Sequence, residues 1–164
     1  MLTNRRAVLF GSLGLGVVGL GGLTAMPALA ANFANSPWRK ISDAEWKKRL
    51  PPLAYSILRH EATEYAGTSP LEKEHRHGTF VCLGCGLPLF KSEWKFESGT
   101  GWPSFFRAWD ANLVKKTDRQ LLEVRTAYAC AQCLGHQGHV FDDGPKPTGL
   151  RYCNNGASLK FIPG

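Results

Sequence analysis

Beyond residue 30 this sequence has no internal repeat, no low-complexity segment and only short apolar runs. Short runs set among 18 glycines and 10 prolines disfavour long helices and favour strands joined by turns. No arginine-rich stripe interleaves with aromatic residues, so nucleic acid is a minor hypothesis and no nucleic-acid partner is expected. Acidic residues are few, 13 against 20 basic ones. The formal net charge is +7; losing Arg5 and Arg6 with a leader takes two of these and leaves +5, a surface that attracts acidic partners only weakly. What remains, at 164 residues, is enough chain for one domain with a sizeable core.

Residues 1–30 read as a targeting segment. Arg5-Arg6 is a twin-arginine pair with no acidic neighbour, Ala7 to Leu23 is apolar but carries six glycines, and Ala28-Leu29-Ala30 is a small-x-small cleavage site. That order is a secretory signal, and the twin arginines suggest the bacterial Tat route to the periplasm. A retained segment would act as a membrane anchor, but the run is short and glycine-rich for a span. Cleavage leaves residues 31–164 with no stable membrane association. The cleavage site has no cysteine, which argues against a lipoprotein.

The mature chain opens with two helical signals. Ser42 followed by Glu45 is an N-cap pattern, with Trp46, Leu50 and Trp38 facing the core. Pro51-Pro52 stops that helix, and Leu53 to His60 reads as a second, with Leu53, Ile57 and Leu58 packing. Glu61 to His77 is polar and loop-like, and His75 and His77 read as solvated charges. From Gly78 the pattern turns to β: Thr79-Phe80-Val81 before Cys82, then Leu87 to Phe90. Glu97 to Phe106 is a glycine-rich loop carrying Trp102, and Leu121 to Tyr128 alternates as a strand running into Cys130.

Five cysteines organise the chemistry. Four form two C-x-x-C pairs, Cys82/Cys85 and Cys130/Cys133, separated by 44 residues. Each such turn aims two sulfurs at one point, and two turns complete a tetrahedral site for Zn2+. A closed S4 site leaves no open position, so such a zinc is structural. Two disulfides in an exported protein, redox-active pairs (though without a thioredoxin-like βαβ context) and unrelated buried thiols are the competing readings. Cys153 is left without a nearby partner. It follows His136 and His139, which lie three apart, and a turn at Asp142-Asp143-Gly144-Pro145. A thiol beside imidazoles is the pattern of covalent thiol chemistry. A buried core thiol with surface histidines is the alternative, but Arg151, Tyr152, Asn154 and Asn155 surround Cys153 with polar groups that suit a site.

Together these residues resemble the B-type methionine sulfoxide reductases, the peptide-methionine (R)-S-oxide reductases, from about Trp38 to Phe161. The segments that carry the resemblance are Cys82-Leu-Gly-Cys85 with Pro88-Leu-Phe90, and Ser98-Gly-Thr-Gly-Trp-Pro-Ser-Phe105. With them go Cys130-x-x-Cys133, His136-Gln-Gly-His139-Val-Phe-Asp-Asp-Gly144, Gly149-Leu-Arg-Tyr-Cys153 and Ala157-Ser-Leu-Lys-Phe161. The resemblance implies two antiparallel sheets with small N-terminal helices, and zinc held by Cys82, Cys85, Cys130 and Cys133. It implies reduction of methionine-R-sulfoxide, free or in oxidised proteins. Cys153 is then the nucleophile, with His136, His139 and Asn155 as its polar site and Trp102 as the wall for the S-methyl group. Arg151 is expected at the same site, favouring the thiolate. Many relatives carry a resolving cysteine where this chain has Thr100, so recycling falls to an external thiol reductant such as a thioredoxin-like protein. Gln137 replaces a usual leucine, and Asn154 and Gly156 replace an apolar residue and a serine. A non-enzymatic zinc module that binds other macromolecules explains the cysteine pairs, but not the leader, Cys153 or the histidines.

Overall fold

The computed structural model describes residues 33–119 and 124–164. The leader expected over residues 1–30 lies outside the described residues, as do residues 121–123 of the strand expected from Leu121. Among the described residues no helix is long and apolar enough to cross a membrane.

Helix α1 (Asp43–Arg49) begins where Ser42 Oγ accepts the Glu45 backbone N–H at 3.3 Å, the cap that the sequence signals. Trp46 is buried and stacks on Trp38, with ring centroids 5.9 Å apart. Pro51 and Pro52 separate α1 from α2 (Pro52–His60), because a proline in the first helical turn loses only an N–H that had no partner. In α2 the stripe Ala54, Ile57 and Leu58 turns inward at helical spacing. That rotation leaves Leu53 49% exposed, against the expectation that it packs.

The rest is mainly β, in two antiparallel sheets. In the first, β1 (Gly78–Cys82) lies between β2 (Pro88–Lys91) and β9 (Leu159–Pro163). The second runs in the order β3 (Lys95–Phe96), β4 (Ser104–Phe105), β8 (Arg151–Asn154), β7 (His136–Phe141), β6 (Arg125–Cys130), β5 (Leu113–Asp118). Phe80 and Phe90 of the first sheet meet Phe105 of the second at centroid distances of 5.0 and 4.1 Å, and Tyr128 and Tyr152 extend this core. The bulkiest fully buried side chains are aromatic, Trp46, Tyr128, Tyr152, Phe80, Phe90 and Phe105. The glycine-rich loop is shorter than expected, since Ser104 and Phe105 join the sheet as β4. Strand β5 shows no alternation that would reveal it: its ends are buried and its four middle residues exposed.

Strand β7 contains the irregularity on which the site depends. Ala127 pairs with His139 and Tyr128 with Gly138, but Ala129 pairs with His136, so Gln137 is an extra residue. In an unbroken strand residues three apart face opposite ways. The bulge returns His136 to the face of His139. Next to it, a Cβ on Gly138 would lie 2.0 Å from the Cys153 carbonyl oxygen, so only glycine lets β7 and β8 approach this closely. The turn expected at Asp142–Pro145 lies later, over Lys146–Thr148, closed by the Gly149 N–H on the Pro145 carbonyl at 3.0 Å. Asp143 is held outside it by Arg151.

Candidate active site

Pairing of β7 with β8 puts His139 directly opposite Cys153 and Phe141 directly opposite Arg151. Opposite residues share a face with Cβ atoms about 5 Å apart. Alternation along β8 puts Arg151 and Cys153 on this face and turns Tyr152 and Asn154 into the core. The face opens into a cleft of about 130 Å³, lined by Thr63, Trp102, Arg125, Gly138, His139, Phe141, Cys153, Asn154 and Asn155. That is roughly four times the volume of a water molecule in the liquid, small enough for one end of a side chain. Cys153, His139, Asn155 and Trp102 therefore line one cleft. His136 and Arg151 do not line the cleft: His136 sits beside His139, with ring centroids 5.5 Å apart, and Arg151 stands next to the thiol.

The electrostatics follow from burial. Burial pushes the Cys153 thiol above its ordinary pKa, and the Arg151 guanidinium and Thr100 hydroxyl pull it only partly back. Arg151 is held in place from two sides. It donates two bonds to Asp143, at 2.8 and 2.7 Å, and lies over the Phe141 ring at 4.3 Å. Burial also lowers His139, against the pull of Asp118, whose Oδ2 is 2.8 Å from the ring Nε2. The same oxygen accepts from Arg125 at 2.6 Å. His136 is buried with neither ring nitrogen hydrogen-bonded among the described residues, and burial, then His139, lowers it to about 4. Near neutral pH the site thus rests as a thiol beside two neutral imidazoles. Alkylation of Cys153 is expected to rise with pH to a midpoint above the free-thiol value of about 8.5. Arg151→Met should move that midpoint higher still and slow the reaction on its rising limb, because the guanidinium that opposes burial is gone. The rate of iodoacetamide labelling against pH measures both; a midpoint near or below 7 would contradict the assignment.

Two acidic residues that the sequence does not single out hold the lining residues in place. Asp118 orients His139 from the end of β5. Glu64, in the stretch read as a polar loop, is buried. Its carbonyl accepts the Trp102 indole N–H at 3.1 Å, and its own N–H reaches Asn155 Oδ1 at 3.0 Å. Its carboxylate accepts from the Ala157 N–H at 3.0 Å and from that of Gly156. Gly156 is what lets this segment settle: a Cβ there would lie 1.8 Å from Ser69 Oγ. Asn155 Nδ2 donates to the Gln137 carbonyl at 3.0 Å, which leaves one of its two amide hydrogens for a ligand. His75 and His77 stay exposed beside Glu97 and Glu93.

The other four cysteines gather elsewhere, in two turns of the same construction. Gly86, at positive φ, donates its N–H to the Cys82 carbonyl at 2.8 Å, and Leu134, also at positive φ, donates to that of Cys130 at 2.9 Å. The Cys82 N–H reaches Leu87 O at 2.8 Å, and the Cys130 N–H reaches Gly135 O at 2.9 Å. Arg39 and Arg59 tie the second turn to the N-terminal elements through the carbonyls of Ala131 and Cys133, at 2.7 and 3.0 Å. The closest sulfurs are Cys82 to Cys133 at 3.6 Å and Cys85 to Cys130 at 3.5 Å, and all four lie within 4.8 Å of one another. These distances exceed a disulfide bond of about 2.05 Å. They match the edge of about 3.8 Å of a tetrahedron with metal–sulfur bonds of about 2.3 Å.

Residues 50–163 match the SelR domain. A peptide methionine sulfoxide reductase MsrB of Leptospira interrogans serogroup Icterohaemorrhagiae serovar Lai is 53% identical over 121 residues, covering 73% of this chain and 92% of that protein. An MsrB of Thiobacillus denitrificans is 51% identical over 123 residues, 74% of this chain and 93% of its own. One of Bradyrhizobium diazoefficiens is 49% identical over 123 residues, with 74% and 88% covered. The chain belongs to the MsrB family.

Within an MsrB-family chain, Gln137 and Gly156 lie off the cleft, whereas Asn154 is on its lining. Asn154 directs its side chain inward, where Oδ1 accepts the Tyr128 hydroxyl at 2.7 Å. Gln137 is fully buried and directs its amide to the cysteine cluster. Gly156 acts through the Glu64 segment. Thr100, by contrast, is beside the thiol.

Proposed function

We propose that this protein reduces the R epimer of methionine sulfoxide, in oxidised proteins or free, by direct attack of Cys153 on the sulfoxide sulfur. The observation that carries the proposal is the cross-strand pair of Cys153 and His139 on one cleft with Trp102, in a chain of the MsrB family. The proton count is self-consistent. The thiol gives its proton to His139, and the thiolate sulfur bonds to the sulfoxide sulfur. His139, now charged and held by Asp118, returns the proton to the sulfoxide oxygen. Transfer of that hydroxyl to Cys153 releases the thioether and leaves a sulfenic acid, so one oxygen has moved and no proton is lost. Asn155 donates its free amide hydrogen to the same oxygen. The indole face, pinned by Glu64, takes the polarised methyl group, and its fixed position selects one epimer.

A reductase assay with dithiothreitol on the separated R and S sulfoxides of methionine tests the proposal. Reduction confined to the R form is expected, and no reduction of either would favour the non-enzymatic zinc module. His139→Ala should slow the chemical step by about a hundredfold or more, read as a single-turnover rate. His136→Ala should cost less, since His136 stands off the cleft. A wild-type rate in His139→Ala would assign the proton transfer elsewhere.

The cysteine cluster fits Zn2+, bound as a closed structural site by Cys82, Cys85, Cys130 and Cys133. Its role is to fasten the turn after β1 to the turn after β6. We also propose export through the Tat route to a bacterial periplasm, on the strength of Arg5-Arg6 and the glycine-rich run to Ala30. Folding around zinc before export keeps the four thiols from oxidising. Replacing Arg5 and Arg6 by lysine should hold the protein in the cytoplasm; unchanged export would refute this route.

A further inference from the structure

Gln137 neither lines the cleft nor offers a ligand to the cysteine cluster, yet its side chain is fully buried. The surroundings orient its amide. On one side lie Cys82 Sγ and the Gly135 carbonyl oxygen, each 3.4 Å from Nε2. Both are acceptors, so the nitrogen must face them. On the other side Ser158 Oγ lies 2.9 Å from Oε1 and can donate to it. A buried amide is costly unless its groups are paired, and a metal-bound thiolate is a stronger acceptor than a thiol. The backbone of the same residue is the bulge of β7. Its carbonyl accepts both the Asn155 N–H, at 2.8 Å, and Asn155 Nδ2, at 3.0 Å. One residue thus touches the cluster with its side chain and a cleft residue, Asn155, with its main chain.

We infer that Gln137 is a positioning residue of the metal centre, donating a hydrogen bond to the Cys82 thiolate and thereby pinning the bulge that aligns His136, His139 and Asn155. Four thiolates around one divalent cation carry a net charge of −2 into a buried site. N–H donors that face the sulfurs offset it, here Gln137 Nε2 on Cys82 and the Gly135 N–H on Cys133 at 3.4 Å. Leucine at position 137 supplies no such donor. Donors that touch a ligand and not the metal tune metal retention by about tenfold or more.

The inference rests on the zinc reading, and the test separates the two. Purified wild-type protein is first analysed for metal; a metal-free protein would overturn both. In the zinc-loaded protein, Gln137→Leu and the volume-matched Gln137→Met are expected to release zinc to a chelating dye about tenfold faster than wild type. In the cobalt(II) form their sulfur-to-metal charge-transfer band should move to lower energy, since the sulfur loses a donor. In cadmium-113-loaded wild type, which needs no variant to fold, a Gln137 side-chain amide proton should show scalar coupling to the metal. A metal-loaded wild type without that coupling, or variants with unchanged release and an unchanged band, would overturn the role of Gln137 and leave the zinc site standing.

Discussion

Cys153→Ser is expected to lower turnover of methionine-R-sulfoxide by about 10⁴-fold or more, the scale on which loss of a covalent nucleophile is felt. Its thermal midpoint and metal content should stay those of wild type. Cys153 is half-buried, not a core residue, and its sulfur is remote in role from the four-cysteine cluster, so the serine removes chemistry without removing packing. Wild-type enzyme given substrate but no reductant should form one methionine per chain, and a sulfenic-acid probe should then label Cys153. No intramolecular disulfide should form, because the other four cysteines cluster with one another and Thr100 occupies the position beside the thiol. An external thiol must then attack the sulfenic acid at the open cleft. Thr100→Cys should convert the enzyme to one that closes an internal disulfide after substrate. An internal disulfide in wild type, or substantial activity in Cys153→Ser, would reverse the assignment.

Removal of zinc is expected to abolish cooperative unfolding altogether. Structural zinc sites in small domains contribute about 10–16 kcal/mol of apparent binding energy at neutral pH, as much as the whole stability of a typical domain. Here the four sulfurs, all within 4.8 Å of one another, join two turns from different sheets. Elemental analysis should find about one zinc per chain. Calorimetry of the chelated protein should show no sharp transition, and re-addition of zinc to reduced protein should restore both transition and activity. A stable metal-free protein holding two disulfides would refute the assignment.

Some of this was legible without coordinates because it depends on residue type and local spacing. C-x-x-C brings two sulfurs together within one turn, Ser42 caps the next residues of its own helix, and a paired Pro51-Pro52 stops one helix and starts another. Subtracting the two pairs from five cysteines isolates Cys153. Residue types alone supply the chemical inventory: a spare thiol, imidazoles, an indole and a four-sulfur donor set. Leu53 shows how soon local pattern stops sufficing, since one turn of helix rotation decides whether an apolar residue packs.

Only the tertiary structure decided which groups face one another. His136 and His139 are an odd number of residues apart and share a face because Gln137 is bulged, which depends on how β6 and β7 pair. Asp118 reaches His139 from the end of a strand with no alternation, and Glu64 reaches Trp102 and Asn155 from a stretch with no strand or helix signal. Cross-strand register, bulges and buried hydrogen bonds between distant segments are set by the energy of the assembled sheet. The local pattern that marks a helix or a turn therefore does not contain them.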